Sequence, residues 1–237
     1  NTDDTPLNLR RYAGSFVFLC FLCSLACVAC SSRRSFARLC VCVCVHTFIN
    51  KQTLFPNNTD QKRKIGLQPW NDYIIERTMR IIGGSVSAVD SAIKGSISAN
   101  MAGGTHHAFH HYGAGYCVFN DLAVCAYVAK RDFNVQKVLI IDLDVHQGDG
   151  TASILKKDKN IFTFSMHCEK NYPLKKETSD LDIALPKDTN DSKYLEILEK
   201  NLKELENIKS EIIFFQAGVD TLKSDNLGYL SLSHIGL

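Results

Sequence analysis

The chain has 237 residues, a formal net charge of +2, ten cysteines, 45% hydrophobic residues and 22% charged residues. This composition suits a globular protein of one or two domains and excludes wholesale disorder, a collagen-like repeat and a polytopic membrane protein. Residues 1–61 hold six Lys/Arg against three Asp/Glu, whereas residues 62–237 hold 21 against 22. The longer part is therefore close to neutral, and its charge gives no reason to expect nucleic-acid binding.

The first 61 residues differ from the rest in their cysteine content, with seven of the ten cysteines lying before residue 45. Residues 16–29 form an apolar run that follows two arginines, which is typical of a signal-peptide core and short for a membrane-spanning helix. A metal site is the second interpretation, since four cysteines have ligand-like spacing: Cys20, Cys23, Cys27 and Cys30. It is disfavoured because the stretch has no room for a knuckle loop and no polar residues around it.

A third interpretation explains more of this segment. Residues 40–45 read Cys-Val-Cys-Val-Cys-Val, which is the translation of a GT dinucleotide repeat of the kind common in non-coding DNA. We therefore expect residues 1–61 to be a non-homologous segment carried in by a gene model. A genuine signal or anchor segment stays the alternative, and it would make the protein secretory or membrane-associated.

From residue 62 onward the hydrophobic pattern predicts helices and strands in alternation. Helices are predicted from residue 70, over residues 121–130 and 151–156, and after an N-cap at Ser192. The pair Gly83-Gly84 lies in the first of these and predicts a break or a close contact. Strands are predicted over residues 98–102, 135–145, 161–166 and 211–217. This alternation predicts an α/β fold of three layers, with a mainly parallel sheet and flanking helices.

Ionisable residues lie at the carboxyl ends of three predicted strands, where sites form in open α/β sheets: His106-His107, the run from Asp142 to Asp149, and Asp220. Alternate side chains of an extended chain share a face, so Asp142, Asp144 and His146 point the same way. Two carboxylates and an imidazole are costly to bury in an apolar sheet without a cation. Asp220, after the last strand, is a candidate third ligand. The sequence therefore predicts a divalent-metal site, for which Zn²⁺ is a suitable ion.

Two adjacent histidines, His106 and His107, follow a Gly-Gly turn and can present two imidazoles to the same pocket. Imidazole suits proton transfer near neutral pH. Asp142 and Asp149 are available as acid partners on the second ring nitrogens. For Asp149, capping of the following helix is a rival role.

Other residues of these types are predicted to have no part in chemistry. His110 and His111 are expected to be exposed loop residues. Three cysteines lack ligand or redox spacing and are expected to be reduced core thiols: Cys117, Cys125 and Cys168.

Four separated stretches, in this order, resemble one known family: GGTHHAFHHYGAGYCVFND, VLIIDLDVHQGDGTASI, FTFSMHCEKNYP and FFQAGVD. They resemble the zinc-dependent histone deacetylases, which have the arginase/deacetylase fold, and the class IV branch most of all. The resemblance covers residues 62–237, so it implies a partial deacetylase domain, truncated at both ends.

The resemblance implies a role for each matching position of this chain. The zinc ligands would be Asp144, His146 and Asp220. The catalytic set would be His106, His107, Asp142 and Asp149. The acyl-lysine tunnel would be flanked by Gly115, Tyr116 and Tyr172. A structural K⁺ would be held by main-chain groups around Asp142, Asp144, His146, Ser165 and Met166.

The implied reaction is hydrolysis of an N-acyl-lysine amide on a histone or another protein, with acyl lengths from acetyl to long fatty chains left open. His107 would be the general base and acid, and His106 would act electrostatically. The resemblance also implies a role in chromatin regulation, localisation in the nucleus or cytoplasm or both, and corepressor-type partners. It implies no nucleic-acid contact and no membrane contact for the domain.

One departure from the family leaves an alternative function. The family's transition-state tyrosine lies in a GGGY-type loop well beyond Asp220, and no such loop occurs up to Leu237. A catalytically inactive module that binds acyl-lysine is therefore the alternative. A ureohydrolase of the arginase type is the third hypothesis, ranked last because AGVD followed by TLKSD does not supply a second Asp-x-Asp set.

Overall fold

The structure is a computed structural model of the chain. It describes residues 62, 64–95 and 97–237, and the backbone of residues 15–19. The cysteine-rich stretches at residues 20–30 and 40–45 lie outside the described residues, and so do the interpretations that rest on them. Within the described residues, no helix is both long enough and apolar enough to cross a membrane.

Helices and strands alternate along the chain as predicted. The helices are α1 (Asp72–Gly95), α2 (Asp121–Asp132), α3 (Asp149–Leu155) and α4 (Asp191–Leu205), the last followed by a 3₁₀ turn at Glu206–Ile208. The strands are β1 (Ser15–Leu19), β2 (Ile97–Asn100), β3 (Val138–Asp142), β4 (Ile161–Cys168), β5 (Leu181–Leu185) and β6 (Ile212–Gln216). The sequence did not predict β5, a strand of five residues whose side chains are mostly only half-buried.

The strands form a single parallel sheet in the order β2-β1-β6-β3-β4-β5. β3 lies between β6 and β4. Its last residue, Asp142, is the register partner of Gln216 in β6 and of Ser165 in β4. The carboxyl ends of the three strands therefore meet at one edge. The sheet also includes β1, so a strand from the segment before residue 62 pairs with the domain; the predicted boundary at residues 61 and 62 stays a prediction.

Hydrophobic residues cover the sheet on both faces. Along β3, Val138 and Ile140 lie in one core cluster with α1 and α2, whereas Leu139 and Ile141 lie in a second cluster with α4. Because alternate side chains of a strand point to opposite faces, the two clusters lie on opposite sides of the sheet. This arrangement confirms the predicted three-layer α/β fold.

The Gly83-Gly84 pair marks a close contact, and α1 continues through it without a break. A β-carbon on Gly84 would lie 3.1 Å from Nδ2 of Asn100, the last residue of β2. Gly84 therefore lets the helix approach the edge of the sheet.

The N-cap of α4 is Asn190, so the prediction of Ser192 is wrong by two residues. The side chain of Asn190 accepts a hydrogen bond from the backbone N–H of Lys193, and its own backbone is extended. Asparagine is as good an N-cap as serine, and here the chain turns into the helix at Asn190.

We expect Gly104→Ala to lower the free energy of unfolding by about 1–3 kcal/mol. Gly104 has a φ of +89°, and a β-carbon there would overlap the side-chain amide of Gln216. Gly95→Ala is the control, because nothing lies within 4 Å of its β-carbon position. Chemical denaturation of both variants measures the difference, and equal stabilities would contradict the expectation.

Candidate metal and acid-base site

The polar residues predicted from the sequence converge at the carboxyl edge of the sheet. Asp144 and His146 follow the end of β3, and Asp220 follows β6, its parallel neighbour. The tandem histidines lie in the loop between β2 and α2. Gly218 permits this convergence, since a β-carbon there would overlap the carboxylate of Asp144.

Asp144, His146 and Asp220 offer three ligand atoms within 4.8 Å of one another. Nδ1 of His146 lies 3.0 Å from Oδ1 of Asp144 and 3.1 Å from Oδ2 of Asp220. Burial lowers the pKa of His146, but these two carboxylates outweigh it and raise the pKa to about 9. The arrangement attracts positive charge.

These donors fit a divalent metal ion. Ligands bound to one Zn²⁺ lie about 2 Å from it, so the three donor atoms need only small movements to share an ion. In the described part of the chain, this is the one cluster of at least three His, Cys, Asp or Glu side chains with such geometry. The described residues offer no second metal-ligand cluster of the kind that a two-metal ureohydrolase needs.

Each of the tandem histidines binds one buried carboxylate. Nδ1 of His106 is 2.7 Å from Oδ2 of Asp142, and Nδ1 of His107 is 2.7 Å from Oδ1 of Asp149. The structure thus brings together both predicted pairs. With Nδ1 donating to the carboxylate, Nε2 of each ring is left free to face the metal-ligand group, and Nε2 of His106 lies 3.8 Å from Oδ1 of Asp144.

The two imidazoles differ in charge although their rings are only 4.1 Å apart. Burial would lower the pKa of His106, but Asp142 and Asp144 raise it to about 10. Burial and the positive charge of His106 lower the pKa of His107 to about 4. At neutral pH His106 is therefore cationic, and His107 is neutral and able to accept a proton.

The N-cap of α3 is Gly148, without a side-chain cap hydrogen bond, so the rival capping role is wrong and Asp149 is the acid partner of His107. Asp149 is the first residue of α3, and its Oδ1 accepts the Gly150 backbone N–H at 3.0 Å as well as contacting His107. The carboxylate is 3% exposed. It therefore joins the start of the helix to the imidazole ring.

Two of the predicted tunnel residues contact His107. Gly115 has a φ of +51°, and a β-carbon there would overlap the ring of His107. The ring of Tyr172 meets His107 edge-on, with the ring centroids 4.8 Å apart. Tyr116 packs against Gly66 instead, and it lines a cavity of about 340 Å³.

The residues predicted to hold K⁺ are adjacent, but the ion itself stays a prediction. Asp142 and Ser165 are partners across β3 and β4, and the hydroxyl of Ser165 lies 3.0 Å from Nδ1 of His167. Met166 is fully buried in the core on the α4 side of the sheet.

Sequence reasoning missed Asn171, which is 3% exposed. Its Nδ2 donates to the carbonyl of Leu227 at 2.6 Å and lies 3.5 Å from Nε2 of His146. Its Oδ1 accepts the backbone N–H of Tyr229 at 2.9 Å. Asn171 therefore ties the segment after Asp220 to the His146 side of the site, through partners that no local pattern in the sequence marks.

The residues predicted to be inert lie as expected. His110 and His111 are exposed. The three described cysteines are buried thiols that form no disulfide within the described residues.

The family model described as histone deacetylase domain matches residues 43–237. The chain belongs to this family. An uncharacterized protein of Picosynechococcus sp. is 46% identical over 177 residues, and histone deacetylase 2 of Arabidopsis thaliana is 31% identical over 160 residues. These alignments cover 74% and 66% of this chain, which spans 59% and 41% of the two relatives.

The fold agrees with the family. A crystal structure of a histone deacetylase homologue complexed with SAHA has a TM-score of 0.65 and 26% identity. The match covers 79% of this chain and 60% of the homologue. The arginase/deacetylase fold implied by the sequence is thereby confirmed, whereas the class IV assignment stays a prediction.

We expect His146→Ala to weaken binding of a divalent transition metal by about 100-fold or more, because it removes a ligand rather than an outer-sphere contact. Calorimetry or Co²⁺ absorption spectra of the metal-free chain measure this affinity. His110→Ala is the matched control, since His110 is exposed and outside the cluster. Equal affinity of the two variants would contradict the assignment of His146.

Proposed function

We propose that this protein is a zinc-dependent deacylase that hydrolyses the amide bond of N-acyl-lysine. The observation that carries the proposal is the buried imidazole of His107, hydrogen-bonded to Asp149 and lying beside the group Asp144, His146 and Asp220. Membership of the histone deacetylase family supports the same reaction class.

Asp144, His146 and Asp220 would hold the metal. When bound there, Zn²⁺ supplies polarisation of the amide carbonyl and lowers the pKa of a coordinated water. The rest of the chemistry falls to the two histidines and their carboxylates.

His107 acts as the general base and acid. Its Nε2 takes a proton from the attacking water and later donates a proton to the lysine amine that leaves. Asp149 keeps the other ring nitrogen protonated, so Nε2 is the available acceptor. His106 keeps a positive charge close to the site and stabilises the negative charge that develops on the carbonyl oxygen.

The substrate lysine would reach this group between Gly115 and Tyr172, the residues that contact His107 at the surface side. Tyr172 is 42% exposed, so it presents an aromatic face at the entrance. An aromatic face suits the apolar stem of an acylated lysine.

Further parts of the proposal follow from the family resemblance. They are a class IV identity, a structural K⁺ near Asp142 and Ser165, and a histone or another acylated protein as substrate. Activity in the nucleus or cytoplasm and corepressor-type partners belong to the same set.

An acyl-lysine-binding module without turnover is the second candidate. Tyr229 is the one tyrosine between Asp220 and Leu237, and its ring lies 5.4 Å from the ammonium group of Lys187 with 46% of the residue exposed. It is not held as a buried hydroxyl donor, and this is the observation that supports the second candidate.

With Zn²⁺, we expect the 237-residue chain to release acetate or myristate from acyl-lysine peptides. Replacing His107 by Ala should lower kcat by about 10²–10⁴-fold, because proton transfer is lost. The zinc content should not change, since His107 is not a metal ligand. His110→Ala serves as the control with full activity, and peptide binding without turnover in the unchanged chain would support the binding module instead.

We expect removal of the metal with a chelator to abolish turnover and one equivalent of Zn²⁺ per chain to restore it. Metal analysis by mass spectrometry and activity during titration check the stoichiometry. Two manganese ions per chain with urea-forming activity would favour the ureohydrolase hypothesis, and turnover without any metal would reject the proposal.

A further inference from the structure

Asp121 is a completely buried carboxylate that has no role in the proposed chemistry. It accepts four hydrogen bonds from neutral donors: the hydroxyls of Ser85 (2.8 Å) and Thr105 (2.9 Å) and the backbone N–H groups of Gly104 (2.9 Å) and Thr105 (2.7 Å). As the first residue of α2 it also lies at the positive end of a helix dipole, which stabilises its charge.

Three of these four donors lie immediately before the tandem histidines. Gly104 and Thr105 precede His106 in the chain, so the carboxylate fixes the backbone through which the loop enters the site. Ser85 belongs to α1, and therefore the same carboxylate joins α1, α2 and the histidine loop.

The neighbouring residue, Asn120, holds the other side of the loop. Its Nδ2 donates to the carbonyls of His106 (3.0 Å) and Ala108 (3.1 Å), while its Oδ1 caps α2 at the N–H of Ala123. Two adjacent side chains at the start of α2 thus bind the backbone before and after the histidines.

The loop needs such support because its histidines must meet carboxylates that it does not carry. Asp142 ends β3 and Asp149 begins α3, and each contacts its imidazole at 2.7 Å. No helix or strand is assigned between Met101 and Asn120. The loop position must therefore come from tertiary hydrogen bonds.

We infer that Asp121 is a positioning residue that holds His106 and His107 in register with Asp142 and Asp149. Its catalytic consequence rests on the proposed function, whereas its effect on the histidine loop does not. Asp121→Asn replaces one acceptor oxygen by a donor that faces the N–H of Gly104 or Thr105, so the loop loses a hydrogen bond and gains a repulsive contact.

The chain contains a matched control for this substitution. Asp180 makes the same set of bonds with Thr163: it accepts the backbone N–H at 2.8 Å and the hydroxyl at 2.9 Å, and its own N–H donates to that hydroxyl at 3.1 Å. Asp121 and Thr105 share this pattern, including the return bond at 3.2 Å. Asp180→Asn therefore tests the same set of bonds away from the histidine loop, at a carboxylate that is exposed where Asp121 is buried.

The first measurement needs no catalytic activity. Histidines of the metal-free chain are modified with diethyl pyrocarbonate, and the rate at each histidine is read by mass spectrometry. His106 and His107 are 3% and 6% exposed, and His167 is 1% exposed and serves as the internal reference. Asp121→Asn should raise the rates at His106 and His107 by about tenfold and leave His167 unchanged, because local opening follows the lost hydrogen bond.

The control should behave differently. Asp180→Asn should leave the rates at His106 and His107 as they are in the unchanged chain. The inference is overturned if Asp121→Asn leaves these two rates unchanged, or if it raises the rate at His167 equally, which would indicate general destabilisation.

A milder pair of variants covers the case in which Asp121→Asn does not fold. Thr105→Val and Thr163→Val each remove one hydroxyl from the two matched motifs. Faster modification of His106 and His107 in Thr105→Val alone supports the inference, and equal rates in the two variants overturn it.

If the unchanged chain turns over acyl-lysine, a second measurement separates positioning from metal binding. Asp121→Asn should lower kcat by about 10–100-fold, the cost of a small misplacement of reacting groups, with little change in KM. Zn²⁺ affinity should stay the same, because the ligand group lies outside the bonds that Asp121 makes. A chain without turnover would reject the proposed function, and the modification rates would still decide the role of Asp121.

Discussion

The site depends on the burial of negative charge after β3. Asp142, Asp144 and Asp149 are each less than 5% exposed, and a buried carboxylate is costly unless it is paired and hydrogen-bonded. Three imidazoles supply that pairing, and the donor group around Asp144 has the geometry to hold a cation as well. Each histidine therefore contributes to stability, and loss of one leaves a buried carboxylate without its hydrogen-bond partner.

The parallel sheet makes this concentration of charge possible. Since Asp142 is level with Gln216, the chain leaving β3 and the chain leaving β6 reach the same edge, and Asp220 arrives beside Asp144 and His146. A register shift of one residue would move Asp142, Asp144 and His146 together to the other face of the strand. The apolar clusters on both faces hold that register, so the core of the protein determines the geometry of its polar edge.

Much of this could be predicted from the sequence because the signals are local. A β-branched run predicts the buried strand β3, and alternation places Asp142, Asp144 and His146 on one face. Asn171 could not be predicted, since its partners lie 56 and 58 residues further along the chain. Asp121 was assigned only to a helix, because nothing in its neighbourhood shows that its carboxylate faces the loop of His106 and His107. β5 was missed because its partly exposed residues lack a clear apolar pattern.

The assignment of roles to the tandem histidines follows from their surroundings. The two rings are chemically identical and adjacent, and rings 4.1 Å apart do not both carry a charge in a buried site. His106 lies close to two carboxylates, Asp142 and Asp144, whereas His107 is hydrogen-bonded to Asp149 alone and faces the charge of His106. The proton therefore resides on His106. The number of carboxylates around each ring thus supports His107 as the base of the proposed reaction.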